Sequence, residues 1–166
     1  MSVNLSPHTL RDQLLVDTVA QVLTQHGLAA QHLTIEITES GILADTALAA
    51  GIFQGLRQLG IGLSIDDFGT GHSSLMRLKH LPLTEIKVDR LFTSEMLAND
   101  SDAVIVRSTI DLGHKLGCSI VAEGVESAAL LERLRGYGCD VGQGDFICRP
   151  LAHDALVEWL RNPPKY

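Results

Sequence analysis

The sequence is poor in the residues that several functions require. Aromatic side chains make up 4% of its 166 residues, with one tryptophan and two tyrosines. It therefore lacks the interleaved aromatic and basic surface on which single-stranded nucleic acid stacks. Cysteine is scarce, with only Cys118, Cys139 and Cys148. An odd count with no C-x-x-C pair excludes a disulfide framework and a zinc knuckle, and the expectation is buried free thiols of a reducing compartment. No apolar run is long enough to span a membrane. The opening Met1-Ser2-Val3-Asn4-Leu5-Ser6-Pro7 has neither the basic region nor the apolar core of a signal peptide. These absences point to a cytoplasmic chain whose segment here makes no membrane contact. No G-x-G-x-x-G follows the first strand-like run, and Gly69-Thr70-Gly71 lacks the lysine of a P-loop. Positive charge is also short: 13 Lys and Arg face 20 Asp and Glu, a formal net charge of −7. Such a chain repels a nucleic-acid polymer. A phosphate ligand would need a local charge of the other sign, most simply a divalent cation.

What is present is an ordinary globular composition, 45% apolar and 20% charged. Its length suits one domain, residues 1–160, with a short tail at 161–166 containing Pro163-Pro164. Short β-like runs alternate with longer helical ones. Ser2–Leu5, Leu33–Ile37, Ile61–Asp67, Thr84–Val88, Ser119–Ala122 and Cys139–Gln143 are predicted strands. Between them, apolar residues recur at helical spacing. One helix starts near Pro7, carries Leu10, Leu14, Leu15, Val19, Val22 and Leu23, and ends at Gly27. A second is capped by Asp45 and ends at Gly60, and a short one lies around Ser73–Leu78. Further helices span Ala103–Leu116, the stretch after the Ser127 cap, and His153–Leu160. Successive β-α units without hairpin signals argue for a parallel sheet with helices outside it. An open sheet and a closed β/α barrel both fit, although a barrel wants eight units and about 250 residues.

The C-terminal ends of the six strand-like runs carry Asn4, Glu36, Asp66 with Asp67, Lys87, Glu123 and Gln143. Ligands bind at these ends in both barrels and open α/β sheets. Glu36, between Ile35 and Ile37, is costly to bury unless it pairs with Lys87 or holds a metal. Asp66 and Asp67 repel each other unless a cation lies between them. They could instead cap the helix beyond Gly71. Alternate strand residues face opposite sides, so the chain must turn at Asp67 for both to serve one site. Lys87 could hold a phosphate, orient a water or simply pair with acids. Glu123 precedes Gly124 and could serve the dipole of the next helix. The histidines form no metal motif; all but His72 look like surface residues. Carboxylates with an asparagine are hard oxygen donors that suit Mg²⁺ or Mn²⁺. Two such ions about 3.5–4 Å apart are a standard device for cleaving phosphodiesters.

These residues resemble the EAL domain family. The stretches that carry the likeness are Asn4-Leu5-Ser6-Pro7, Ile35-Glu36-Ile37-Thr38-Glu39-Ser40, Asp66-Asp67-Phe68-Gly69-Thr70-Gly71, Ile86-Lys87-Val88-Asp89, Ala122-Glu123-Gly124-Val125-Glu126, and Gln143-Gly144 with Arg149-Pro150. The resemblance implies a TIM-like β/α barrel of the EAL type, with about six of its units present. It implies hydrolysis of cyclic-di-GMP to linear pGpG in bacterial second-messenger signalling, with two divalent ions. Asn4, Glu36 and Asp66 would ligate the first ion. Asp66, Asp67 and Glu123 would serve the second. Lys87 would contact the attacking water, Gln143 the substrate, and Glu39 would steady the loop after Asp67. That loop, Phe68–Ser74, is tied in the family to dimerisation.

Three departures temper the expectation. The Glu-Ala-Leu motif with its metal-binding glutamate does not occur, which suggests that Met1 is a fragment boundary or a misplaced start. The family's tyrosines after the Asp-Asp-Phe-Gly-Thr-Gly and Gln-Gly motifs are His72 and Asp145 here. Whether this chain turns over substrate is thereby left open. The rival expectation is an inactive EAL module that binds cyclic-di-GMP or a partner protein.

Overall fold

The computed structural model describes residues 1–39, 41, 46–70 and 80–164. The Asp45 cap, the helix around Ser73–Leu78 and His72 lie outside the described residues. Six strands form one parallel sheet in sequential order: β1 (Ser2–Asn4), β2 (Thr34–Thr38), β3 (Gly62–Phe68), β4 (Glu85–Val88), β5 (Ser119–Ala122) and β6 (Val141–Gly142). Among the described residues, no strand pairs the outer edge of β1 or of β6. Helices α1 (Leu15–Gln25), α2 (Thr46–Gln58), α3 (Asp100–Lys115), α4 (Ala128–Gly136) and α5 (His153–Arg161) alternate with the strands. The sheet curls into a half-barrel with these helices.

The two faces of the sheet have opposite chemistry. One carries Ile35, Ile37, Leu63, Ile65, Ile86, Val88, Ile120 and Ala122, none more than 5% exposed. These side chains share a core with Ile52, Phe53 and Leu56 of α2 and with Val106 and Ile110 of α3. Each fully buried aliphatic chain contributes roughly 1.5–3 kcal/mol, so this interface dominates the fold's stability. The strand period of two sends the intervening residues to the other face, which carries Thr34, Glu36, Ser64, Asp66, Glu85 and Lys87.

Local chemistry explains where the elements differ from the sequence reading. The expected first helix is broken. A short 3-10 turn, Thr9–Arg11, ends at Asp12, which is extended (ψ 107°). The Asp12 side chain accepts from Leu14 N at 2.9 Å, and α1 starts only after this local turn. Helix α3 begins three residues earlier than expected because Asn99, not a later residue, caps it by accepting from Ser101 N. Strand β6 shrinks to two residues, the expected pairing from Cys139 being lost at this edge. Ser127 caps α4, accepting from Leu130 N at 3.2 Å. Gly27 and Gly60 follow their helices at positive φ. A single helical turn, Arg90–Thr93, follows β4 and was not expected at all. Cys118 is buried, whereas Cys139 and Cys148 are only partly so, and all three are free. Burial pushes the Cys118 and Cys139 thiols up, which keeps them protonated and unreactive. His114 on α3 lies 2.8 Å from Asp140. Asp140 also accepts from Ile120 N at 2.7 Å, tying the start of β6 to β5 and α3.

Candidate active site

Lys87 is the hub of the polar face. It is only 4% exposed. Its Nζ lies 3.1 Å from Glu36 Oε2, 3.2 Å from Asp66 Oδ1 and 2.6 Å from Glu123 Oε1. These acids come from β2, β3 and the end of β5. The register sets Thr38 beside Asp66, and Lys87 beside Val121, two residues before Glu123. Reaching Glu36 means crossing β3, two strand spacings or roughly 9.5 Å away, which the curl of the sheet shortens. The buried pairing with Glu36, raised from the sequence as the alternative to metal binding, is present as one bond of three. Burial by itself would lower the Lys87 ammonium. The hydrogen bond and charge of Glu123, the hydrogen bond of Glu36 and the charge of Asp66 outweigh it, and Lys87 titrates above the ordinary lysine range.

Asp67 stands beside this hub on a turned backbone. It is the one non-glycine residue at positive φ among the described residues, at 56°. Aspartate tolerates that region better than most side chains. Its N–H donates to Asp66 Oδ1 at 3.1 Å. The turn puts two consecutive aspartates on one site, which an unbroken strand could not do. One carboxylate oxygen each from Asp66, Asp67 and Glu123 all lie within 4.8 Å of one another. Burial raises the Asp67 pKa, and so do the proximity of Asp89 and the charges of Asp66, Asp89 and Glu123.

The donor set fits divalent cations. Four carboxylates, Glu36, Asp66, Asp67 and Glu123, gather around one ammonium, so three formal negative charges go uncompensated. Crowded carboxylates of this kind are stabilised by a cation of higher charge, and all their donor atoms are hard oxygens.

Other expected residues sit at different depths. Glu39, 3% exposed, accepts from Gly69 N at 3.1 Å, linking β2 to the segment after Asp67. Asn4 is aligned with Glu36 in the register but lies exposed on the rim strand. Gln143 is also exposed; its backbone accepts from Val125 N and donates to Ala122 O. Among the described residues, neither side chain is hydrogen-bonded to Lys87, whose partners are Glu36, Asp66 and Glu123. Asp145 forms an exposed ion pair with Arg149 at 3.2 Å. Glu123 pairs with Lys87, while Ser127 caps the following helix. Asp89 was not singled out from the sequence beyond its place in a motif. Its side chain caps the single turn by accepting from Leu91 N at 2.6 Å, and its proximity helps to raise the Asp67 pKa. An acidic residue one step past a strand was the only signal that could have found it.

The sequence profile of the EAL domain matches residues 1–150. The chain belongs to the EAL domain family. It is 43% identical over 157 residues to the bifunctional diguanylate cyclase/cyclic di-GMP phosphodiesterase MucR of Pseudomonas aeruginosa, a match that covers 95% of this chain and 23% of MucR. The chain thus spans about a quarter of that relative's length. The structure of the MucR phosphodiesterase in complex with c-di-GMP superposes with a TM-score of 0.88 at 43% identity, over 93% of this chain and 63% of that one. The manganese/cy-diGMP complex of BlrP1 from Klebsiella pneumoniae matches with a TM-score of 0.84 at 31% identity, over 90% of this chain and 38% of that one. This EAL domain therefore carries its acidic cluster on a fold that has been solved with both dinucleotide and divalent metal. Helix α5 lies beyond the matched segment.

Proposed function

We propose that this EAL domain hydrolyses cyclic-di-GMP to linear pGpG with two divalent ions, Mg²⁺ or Mn²⁺. The observation that carries the reading is the convergence of the Asp66, Asp67 and Glu123 carboxylates within 4.8 Å. In this reading Glu36 and Asp66, with Asn4 from the rim, hold one ion, and Asp66, Asp67 and Glu123 hold the other. Bound there, the ions neutralise the substrate phosphates and supply an acidified water as nucleophile.

The chain's own residues do the rest. Lys87 stays charged among its three acids, so it acts as a donor and never as a base. It holds Glu36, Asp66 and Glu123 in one constellation, and its charge favours a nearby anionic oxygen. Glu39 fixes the main chain just after Asp67 through Gly69 N. Gln143, beyond β6, donates in this reading to a substrate phosphate or base. Asp145 adds a carboxylate near that end, and its pairing with Arg149 reduces the repulsion it would exert. The reading extends to a cytoplasmic protein that dimerises through the segment after Asp67, of which 71–74 lie outside the described residues. Among the described residues, no helix is long and apolar enough to cross a membrane.

The test is incubation of the chain with cyclic-di-GMP and Mn²⁺ or Mg²⁺, reading the linear dinucleotide. Product that disappears with a chelator and in Asp66→Ala supports hydrolysis. Saturable binding of cyclic-di-GMP with no product would establish the non-catalytic module instead.

A further inference from the structure

Glu123 stands apart from the other acids in how it is held. Glu36 and Asp66 lie inside strands, where ladder hydrogen bonds fix their backbones. Glu123 lies one residue past β5, where the chain leaves the sheet and Gly124 turns at φ 70°. A backbone at that point needs other partners, and the structure supplies both from one neighbour. Glu123 N donates to Val88 O at 3.1 Å, and the hydroxyl of Thr93 donates to Glu123 O. Val88 ends β4, and Thr93 ends the single turn that follows it.

Thr93 is fully buried. A hydroxyl placed there is costly unless it finds an acceptor, and a valine would fill the same space without that demand. The turn carrying Thr93 touches the opposite wall of the site as well. A Cβ on Gly69 would meet the Phe92 ring at 3.0 Å, and one on Gly124 would meet Arg90 Cβ at 2.6 Å. Residues 90–93 therefore pack against Gly69 and Gly124, beside the segments bearing Asp67 and Glu123.

We infer that Thr93 is a positioning residue for the metal-binding cluster: its buried hydroxyl holds the main chain of Glu123 so that this carboxylate meets those of Asp66 and Asp67. The inference rests on the metal reading given above. Freed from Thr93, the Glu123 main chain could swing about Gly124 and draw its carboxylate away from the aspartates. Groups that orient ligands in this way change metal affinity by about 10–100-fold when removed.

The experiment is Mn²⁺ titration of the intact chain without any dinucleotide, comparing Thr93→Val, which deletes the hydroxyl at constant volume, with Thr93→Ser, which keeps it. The expected result is Mn²⁺ binding weakened about tenfold or more in Thr93→Val and largely restored in Thr93→Ser, with Asp66→Ala as the reference for a lost ligand. Equal affinity in Thr93→Val and the parent, or equal loss in Thr93→Val and Thr93→Ser, would overturn the inference. If Thr93→Val fails to fold, Thr93→Ala against Thr93→Ser makes the same comparison at smaller volume: weaker binding in Thr93→Ala alone supports the role, and equal affinities overturn it. A parent that binds Mn²⁺ through Asp66 but makes no pGpG would refute hydrolysis and leave the positioning role standing. A parent that binds no Mn²⁺ would overturn both.

Discussion

The middle of the sheet and its two rims use similar polar residues to different ends. In the middle, Glu36, Asp66 and Glu123 close on Lys87 and are shielded from solvent. At the rims, Asn4 on β1 and Gln143 beyond β6 occupy equivalent strand-end positions yet stay exposed. The difference is one of neighbours. Among the described residues, β2 to β5 have a strand on each side to bring partners within reach, whereas β1 and β6 have one. Val3 shows the same contrast on the apolar face: it is 43% exposed, while Ile35 beside it in the register is 5% exposed.

The largest test of this contrast removes a central ligand. Asp66→Ala should lower the rate of pGpG formation by more than about 100-fold, beyond what loss of an orienting group costs. Asn4→Ala should lower it less. Equal losses would show that the rim belongs to the same functional unit as the centre.

Next in size is the hub. Lys87→Met leaves buried acids without their cation and should cost about 3–5 kcal/mol in urea unfolding at neutral pH. The folded Lys87 pKa lies above the ordinary value of 10.5, so its contribution is fully present below pH 10.5 and is lost as pH rises through the folded value. The gap between parent and variant should be flat from about pH 7 to 10 and narrow only beyond that. A gap that closes near neutrality would mean that Lys87 is not the charged hub.

A smaller effect of opposite sign is expected at Asp67. Its folded pKa is raised, first by burial and then by Asp89 and neighbouring charges. Folding therefore favours its protonated form, and the benefit present below the ordinary 3.8 is lost as pH rises through the folded value. Asp67→Asn cannot ionise, and asparagine accepts the positive φ. It should raise the melting temperature of the metal-free chain at neutral pH by at most about 4 °C. That gain should vanish below pH 3.8, and Mn²⁺ binding should weaken. The smallest effect is at the rim: Asn4→Ala should change metal-free stability by no more than about 0.5 kcal/mol in urea unfolding.

Much of this was legible in the sequence, for definite reasons. The alternation of Ile35-Glu36-Ile37 and Ile86-Lys87-Val88 marked strands with one polar residue among apolar ones, and that pattern is local. The acids at the ends of β2, β3 and β5 were readable for the same reason. The break at Asp12 was not, because a side chain bonding its own backbone competes with a good helical period. The turn at Arg90–Thr93 was hidden too. It is too short to show a period, and Asp89 and Thr93 matter through partners, Asp67 and Glu123, that lie 22 and 30 residues away in the chain.

By itself, then, the sequence determined the number of strands, the order of their polar ends and the kind of ligand those ends favour, since each depends on residues within a few positions of one another. Only the tertiary structure decided that Lys87 meets three acids at once and that Asp67 turns at φ 56° to join Asp66. Glu36 and Lys87 are 51 residues apart. Their 3.1 Å contact comes from register and curl across an intervening strand, which no local pattern encodes.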